Sequence, residues 1–253
     1  MPNTEPSFIV LILCYNEKDH IADLLQAVAQ RTPHFLVVDD GSNDGTADIL
    51  RDLGVPTLFQ HKNGGKGQAI RTGLGWVLAQ HYDYVIFMDG DGQHDPEDLP
   101  TFMAAMVEGY DFICGNRMTD TSGMPRKRRI TNQMGSWALS RIINATIPDT
   151  MVGYRALKCD LLRRFPLISK GFTIETEILL RSFEYPIRFI NVPVKTIYHH
   201  HGENKYQGVR DSWGIFFFCG GLEANEGQWR KQKPAAVTAQ HLDKLLGTGP
   251  KLA

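Results

Sequence analysis

The amino-acid sequence predicts an α/β protein with a Rossmann-like, mainly parallel sheet and helices on both faces. Two observations support this fold class. Continuous apolar runs of strand length alternate with longer segments whose apolar residues recur at helical spacing. Acidic clusters follow three of the predicted strands, and in parallel sheets ligands bind beyond the carboxyl ends of the strands.

The first half of the chain contains four strand–helix pairs. Each pair combines a β-rich apolar run with a following segment in which apolar residues repeat every three or four positions. The predicted pairs, strand first, are 8–15 with 18–30, 35–38 with 44–53, 57–60 with 67–80, and 84–88 with 96–107. Pro96 lies in the first turn of its predicted helix, where proline is favoured.

The second half is less regular. A strand is predicted over 112–118, a basic loop over 125–129, a helix over 132–145 and a shorter helix over 176–182. The segment 187–198 is strand-like but contains Pro193, which predicts an edge or bent strand. From about residue 221 the composition is polar, which predicts an irregular tail over 221–253.

Composition and charge exclude several function classes. The chain has 253 residues, of which 42% are apolar and 22% charged, so it is neither a disordered, a collagen-like nor a coiled-coil protein. The net charge of -1 excludes a global basic field, and we expect no nucleic-acid partner. None of the four cysteines lies in a CxxC pair, and two lie inside apolar runs, where a reduced, buried thiol is expected, so a reducing compartment is favoured.

Targeting signals are not evident in the sequence. The N-terminus lacks the pattern of a signal peptide, and no apolar stretch reaches the 18 or so residues that span a bilayer. We therefore expect a cytoplasmic protein, either free or peripheral on the cytoplasmic face of the membrane. Lipid contact would use a surface patch, the apolar segment 213–219 or a membrane partner protein.

The sharpest local feature is Asp89-Gly90-Asp91 at the end of the fourth predicted strand. Two carboxylates separated by one glycine can direct oxygen ligands to one point, as Mg²⁺ and Mn²⁺ require. Gln93 and His94 are near enough to add a ligand. Taken alone, the pair is explained as well by a solvated turn or a helix cap.

The loop 61–67 is rich in glycine and leads into a predicted helix. Its backbone N–H groups, together with Lys66, could hold phosphate. The loop matches neither the P-loop nor the dinucleotide-binding pattern. Taken alone, it is better explained as a flexible turn with a solvated lysine.

Seven motifs, in this order and spacing, resemble the family 2 glycosyltransferases, which have the nucleotide-sugar-binding GT-A fold. They are Leu13-Cys14-Tyr15-Asn16-Glu17, the segment 37–46 with Asp39-Asp40-Gly41, Asn63-Gly64-Gly65-Lys66-Gly67, the segment 88–96 with Asp89-Gly90-Asp91, Gly115-Asn116-Arg117, the segment 149–155 with Gly153-Tyr154-Arg155, and Gly202-Glu203-Asn204-Lys205. Within the family, the chain is most similar to the dolichyl- and polyprenyl-phosphate sugar synthases, such as mannose synthases. Cys14 replaces a usual proline, and Asn204 replaces a usual serine.

The resemblance implies a role for each matched position. Tyr15, Glu17, Asp39 and Asp40 would bind the nucleoside, and Lys66 and Asp89 the rest of the nucleotide sugar. Asp89, Asp91 and Gln93 would hold Mg²⁺ or Mn²⁺ on the diphosphate. Asp91 and Arg117 would be catalytic, and Arg117, Arg129 and Lys205 would bind the acceptor phosphate. The catalytic domain would span 1–220, with a nucleotide-binding half over about 8–118 and an acceptor half over about 119–220.

The implied function is metal-dependent, inverting transfer of a hexose from GDP-mannose or a UDP-sugar to a polyprenyl or dolichyl phosphate. A phosphate monoester has a second pKa of about 6, so near neutral pH it is largely dianionic and needs cations rather than a base. The first alternative is a family 2 enzyme that acts on a saccharide or another hydroxyl. That reaction needs a general base, for which Asp149, Glu175 and Glu177 are candidates.

Two further alternatives remain at this point. One is a nucleotide-sugar-binding module without catalysis, against which the retained Asp89 and Asp91 argue. The other is a nucleotidyltransferase, which is disfavoured because Tyr15-Asn16-Glu17 stands where a basic, glycine-rich loop is expected.

Overall fold

The structure is a computed structural model that describes residues 5–121 and 124–197. Seven strands form one sheet, in the order β3-β2-β1-β4-β6-β5-β7. The strands are β1 (Phe8–Cys14), β2 (Phe35–Asp39), β3 (Thr57–Phe59), β4 (Tyr84–Asp89), β5 (Phe112–Asn116), β6 (Arg155–Lys158) and β7 (Phe189–Pro193). Four of the six strand pairs are parallel, so the predicted α/β class with a mainly parallel sheet is confirmed.

Seven α-helices connect or follow these strands in the described part of the chain. They are α1 (Ile21–Ala29), α2 (Thr46–Leu53), α3 (Lys66–Val77), α4 (Leu99–Val107), α5 (Arg126–Ile143), α6 (Cys159–Leu162) and α7 (Thr173–Ser182). A 3₁₀ turn over Pro96–Asp98 precedes α4, and another over Arg117–Thr119 follows β5. None of these helices is both long enough and apolar enough to cross a membrane.

The central strands form the core because consecutive residues along them are buried. Six successive residues of β1 and all five of β2 are buried, which requires cover on both faces of the sheet. Helix α1 adds Ile21, Leu24, Leu25 and Val28, which recur on one face of the helix. The apolar runs and the helical periodicity therefore predicted the first half correctly, to within a few residues at each boundary.

The main departure from the predicted topology is β6, which pairs antiparallel with both β4 and β5. Its four residues, Arg155–Lys158, lie inside a segment for which no strand is predicted. A strand this short, with two basic residues, carries no periodic signal. Its insertion separates β5 and β7 from the parallel strands that precede them.

Two elements of the second half also differ from expectation. The basic run 125–129 is not a loop, because α5 begins at Arg126 and continues to Ile143. The strand predicted over 187–198 is confined to β7, which ends at Pro193. The apolar segment 213–219 and the polar tail 221–253 lie outside the described residues.

The register of the parallel strands brings the acidic motifs to one edge. Cys14 is level with Asp39 on β2, and Leu13 is level with Asp89 on β4. The Gly90 N–H then donates to the Leu13 carbonyl at 2.7 Å, which ties the turn after β4 to β1. Asp39, Asp40 and Asp89 consequently lie along the same carboxyl edge of the sheet.

Gly41 turns the chain after β2 under a tight steric constraint. Its φ is +71°, and a Cβ there would lie 2.5 Å from the backbone carbon of Lys62. Gly54, at the end of α2, has a similar φ of +62° but has no atom within 4 Å of a Cβ. The two glycines therefore differ mainly in the space around them.

We expect Gly41→Ala to lower the free energy of unfolding by about 2–4 kcal/mol, because it combines backbone strain with a clash against backbone. Gly54→Ala, the matched control, should cost only about 1–2 kcal/mol from strain. Urea unfolding of the two variants measures both. Equal losses would show that loop 61–67 does not constrain Gly41.

Candidate active site

Asp40 anchors the glycine-rich loop to the sheet. Its two carboxylate oxygens accept hydrogen bonds from the Gly64 and Gly65 N–H groups, each at 2.8 Å. Burial raises the pKa of Asp40, although these two N–H groups oppose the shift. Loop 61–67 is therefore held by a side chain of the acidic motif and is not a free turn.

The loop after β1 is tied to the loop after β2 by reciprocal hydrogen bonds. The Asn16 N–H donates to Ser42 Oγ and the Asn43 N–H donates to Asn16 Oδ1, both at 2.9 Å. The Glu17 N–H donates to Thr46 Oγ1 at 2.8 Å. These contacts fix the half-buried Tyr15 and Glu17 at the same edge as buried Asp39.

Sequence reasoning missed Asn16 and Thr46 as positioning residues. Asn16 has a φ of +56°, a conformation that asparagine tolerates better than most residues. The signal that could have revealed both is the presence of small polar residues in each loop, which commonly bind a neighbouring backbone.

The centre of the site is Lys66, the first residue of α3. Its Nζ lies 2.6 Å from Asp89 Oδ1 and 2.7 Å from Glu175 Oε1 on α7. Burial alone would lower the pKa of Lys66, but the two carboxylates outweigh that effect and raise it. The lysine therefore carries its charge throughout the neutral range.

Gly153 packs directly against the charged groups of Lys66, Asp89 and Glu175. A Cβ at this position would lie 2.7 Å from Asp89 Oδ2 and 2.9 Å from Glu175 Oε1. A small cavity is lined by the same charged groups and by Leu13 of β1. A side chain at position 153 would separate the carboxylates from Lys66, which explains the glycine in the 149–155 motif.

The turn after β4 orients its own acidic side chains. Asp91 Oδ1 accepts from the Gln93 N–H at 3.0 Å, and buried His94 accepts the Asp89 N–H at Nδ1 at 3.1 Å. The His94 ring stacks on Tyr154 with 4.9 Å between centroids. Burial lowers the pKa of His94, in keeping with a neutral ring that accepts at Nδ1. His94 thus positions the backbone of Asp89, and its Nε2 lies 4.0 Å from Asp89 Oδ2.

The oxygen donors of this turn suit a hard divalent cation. Burial would raise the pKa of Asp89, but the charge of Lys66 outweighs that effect and the pKa is lowered, so the carboxylate is ionised. Within 5–121 and 124–197, no group of three or more His, Cys, Asp and Glu side chains is arranged to hold a metal ion. Mg²⁺ typically uses only one or two carboxylates and completes its shell with water and substrate phosphate. Asp89 and Asp91 can supply the carboxylates, and Gln93 can supply an amide oxygen.

Arg117 and Asp149 form a buried ion pair beyond the end of β5. Arg117 donates from Nε to Asp149 Oδ2 at 2.7 Å and from Nη2 to Oδ1 at 2.9 Å, and the pair is 5% and 0% exposed. Asn132 of α5 adds a bond to Oδ1 at 2.8 Å. Burial would raise the pKa of Asp149, but the arginine outweighs it and the pKa is lowered.

These contacts reduce the candidates for a general base. Asp149 is fully engaged by Arg117 and Asn132, and buried Glu177 accepts the Ile168 and Ser169 N–H groups at 3.0 and 2.8 Å. Glu175 is the candidate that lies beside Asp89. Sequence reasoning placed Arg117 and Asp149 in separate motifs and did not foresee that they pair.

Arg155 is a further positioning residue that sequence reasoning left without a role. Its guanidinium donates to the carbonyls of Thr150, Val152 and Glu175 at 2.8–2.9 Å. It thereby connects the turn around Gly153 to α7. The buried arginine is visible in the sequence only as the last residue of the 149–155 motif.

The structure describes only part of the residues predicted to bind the acceptor phosphate. Arg129 is half-buried in the first turns of α5, and Lys205 lies outside the described residues, as does the histidine run 199–201. The described chain ends at Ile197, whose N–H donates to the Gln93 carbonyl at 3.0 Å.

Comparison with known proteins agrees with this architecture. The family model "Glycosyl transferase family 2" matches residues 9–166. The chain is 31% identical over 240 residues to an undecaprenyl-phosphate mannosyltransferase of Micrococcus luteus, covering 87% of this chain and 98% of that protein. It is 28% identical to a polyprenol monophosphomannose synthase of Mycolicibacterium smegmatis, covering 82% and 86%.

A solved structure with the same fold is glucosyl-3-phosphoglycerate synthase from Mycobacterium tuberculosis, in complex with Mn²⁺, UDP and glucosyl-3-phosphoglycerate. It has a TM-score of 0.65 at 18% identity and covers 85% of this chain and 80% of that one. The fold is that of the GT-A glycosyltransferases. The chain belongs to glycosyl transferase family 2, and it is a glycosyltransferase.

We expect Arg117→Met to lower the free energy of unfolding by about 3–5 kcal/mol, because it leaves the buried Asp149 carboxylate unpaired. The double variant Arg117→Met/Asp149→Asn removes both charges and should lose less than the single variant. Urea unfolding measures both.

The control is Arg163→Met, which removes an exposed pair with Asp160 and exposed hydrogen bonds to the Leu78 and Gln80 carbonyls, and should cost about 1–2 kcal/mol. If Arg117→Met were as mild as this control, the buried pair would not stabilise the contact between the end of β5 and α5.

Proposed function

We propose that this glycosyltransferase moves a hexose from a nucleotide-diphosphate sugar, GDP-mannose or a UDP-sugar, to a polyprenyl or dolichyl phosphate. The observation that carries the proposal is the charged cluster of Lys66, Asp89 and Glu175 at the carboxyl edge of the sheet, with Asp91 on the adjoining turn. Relatives named for polyprenyl-phosphate mannosyl transfer support the choice of acceptor.

The donor site is proposed along the edge formed by β1, β2 and β4. Tyr15, Glu17, Asp39 and Asp40 lie at the nucleoside end, where Asp40 acts through the loop that it holds. Lys66 begins α3, so its ammonium and the N–H groups of that helix terminus can meet the diphosphate together.

Asp89, Asp91 and Gln93 would hold Mg²⁺ or Mn²⁺ in this site. When bound, the ion supplies a Lewis acid that stabilises negative charge on the departing diphosphate. Mn²⁺ and UDP in the crystal structure of glucosyl-3-phosphoglycerate synthase concern that protein, but they are consistent with the same chemistry here. Because Asp89 Oδ1 is bound to Lys66, we infer that the lysine shifts toward the diphosphate when the donor binds.

The acceptor phosphate needs no base, because its dianion is itself the nucleophile. A phosphate oxygen attacks the anomeric carbon as the bond from that carbon to the diphosphate breaks, and the diphosphate leaves with the electron pair. A single in-line displacement of this kind inverts the anomeric centre. Arg129 and Lys205 would face the acceptor phosphate, and Arg117 would act at that end of the site through Asp149.

The hydroxyl-acceptor alternative depends on Glu175. Its carboxylate is beside Lys66 and Asp89, so it is near the reacting atoms, but Lys66 Nζ already contacts its Oε1 at 2.7 Å. A general base instead needs an oxygen within hydrogen-bond reach of the hydroxyl proton that it takes. This contact favours the phosphate acceptor over the saccharide.

We expect Asp91→Ala to lower turnover at least about a hundredfold, because it removes an oxygen ligand from the proposed metal site. Asp160→Asn is the control, because it changes an exposed carboxylate on α6. This helix follows β6, whose last residue, Lys158, is level with the first residue of β4, so it lies at the opposite end of the strands from the acidic motifs. The turnover of both variants is measured as nucleotide release in the presence of polyprenyl phosphate and Mn²⁺. Unchanged turnover in the Asp91 variant would remove the metal assignment.

The donor and acceptor are identified in two steps. In thermal unfolding with Mn²⁺, the matching nucleotide, GDP or UDP, should stabilise the protein by RT ln(1 + [L]/Kd), or about 2.7 kcal/mol at 100 Kd. The matching sugar nucleotide should then be consumed with polyprenyl phosphate, not with free saccharides, and chelator should stop the reaction.

Transfer to saccharides alone would favour the hydroxyl acceptor. Tight nucleotide binding with no turnover on any acceptor would instead favour a non-catalytic module.

A further inference from the structure

Helix α5 exposes an apolar stripe. Ile130, Met134 and Trp137 are 54%, 68% and 65% exposed, and they follow one another at intervals of four and three residues. Such spacing places them along one side of the helix. Arg126 and Arg141 continue the same spacing at the two ends of α5, so the stripe is apolar in the middle and cationic at both ends.

The opposite side of α5 is buried and largely polar. Asn132 donates to Asp149, and Ser136 Oγ lies 3.2 Å from Thr150 Oγ1 and accepts the Thr150 N–H. Leu139 is fully buried on this side, at 1% exposure, and Ile143 packs against the same core. A helix on a soluble protein normally buries its apolar face and exposes its polar one. The amphipathicity of α5 is therefore reversed, and packing within the described chain does not account for its exposed side.

The charge of α5 is strongly asymmetric. Its 18 residues include five Arg or Lys and no Asp or Glu, whereas the whole chain has a net charge of -1. The Arg141 guanidinium lies 5.1 Å from the centre of the Trp137 ring. Tryptophan and aliphatic residues flanked by arginine are typical of helices that lie in the headgroup region of an anionic bilayer.

We propose that the exposed side of α5 docks on an anionic membrane surface, with Ile130, Met134 and Trp137 inserted below the headgroups. This inference rests on the proposed function, since a polyprenyl phosphate presents its phosphate at that surface. The buried side of the same helix holds Asp149 and, through it, Arg117. Docking would therefore set the acceptor end of the site about one helix diameter, roughly 10–12 Å, from the membrane.

A second copy of the chain fits this face less well. A two-fold symmetric contact would pair two helices that each carry five Arg or Lys residues, without an acidic residue on either helix to offset their charge. An anionic lipid surface supplies the opposite charge. A dimer, or cover by residues of this chain beyond Ile197, is instead an outcome of the experiment.

The test compares two double variants of the full chain. Met134→Glu/Trp137→Glu places two carboxylates in the exposed stripe. The control, Leu53→Glu/Val107→Glu, adds the same charge at exposed apolar residues on α2 and α4, which are 49% and 57% exposed. Co-sedimentation is measured with phosphatidylglycerol–phosphatidylcholine vesicles and with phosphatidylcholine alone.

The wild type and the control should bind the anionic vesicles, more weakly at high salt, whereas the α5 variant should bind about tenfold or more weakly. Equal binding by both double variants would overturn the proposal. So would a wild type that does not bind vesicles, or a dimer that dissociates on substitution of α5, since these results mean that the chain or a second copy covers this face.

An activity assay separates this inference from the proposed function. With a short, water-soluble prenyl phosphate, the α5 variant should transfer sugar at the wild-type rate, whereas with a long-chain acceptor in vesicles it should lose about tenfold or more. Loss with both acceptors would contradict a docking role for the stripe. If neither the wild type nor the variants transfer sugar to either acceptor, the proposed function fails. The sedimentation result still decides whether α5 binds the membrane.

Discussion

The ammonium of Lys66, held between the carboxylates of Asp89 and Glu175, is the interaction on which the site depends. It joins β4, α3 and α7, three elements that lie far apart in the sequence. A buried charge is stable only when it is paired, so each of the three elements needs the other two in place. The close approach of Gly153 belongs to the same constraint, because a side chain there would force the charges apart.

A second set of buried polar groups links the end of β5, helix α5 and the turn around Thr150. Asp149 receives Arg117 from the end of β5 and Asn132 from α5, and Ser136 continues the contact to Thr150. Each group in this set has a partner, which is the condition under which a buried polar network stabilises a unique arrangement. Arg117 and Asp149 are therefore better described as a buried polar link between the sheet and α5 than as two separate substrate-binding residues.

Periodicity and strand-end chemistry predicted the parallel half of the sheet and the edge that carries Tyr15, Asp40, Asp89 and Asp91. Those features are local, since each strand is a continuous apolar run and each motif follows directly after it. The antiparallel β6 could not be predicted because its register depends on β4 and β5, and not on its own four residues. Likewise, the sequence alone could not distinguish Glu175 from Asp149 and Glu177, because only tertiary packing places it against Lys66.

The reversed amphipathicity of α5 follows from the same buried polar contacts that link this helix to Asp149 and Thr150. The helix presents Asn132 and Ser136 inward to satisfy Asp149 and Thr150, so these two inward positions cannot also hold aromatic or long aliphatic residues. A helix that only needed to be soluble would have polar residues at positions 130, 134 and 137. Instead the chain has isoleucine, methionine and tryptophan there, between Arg126 and Arg141, and an exposed apolar patch flanked by charged residues is typical of an interaction surface.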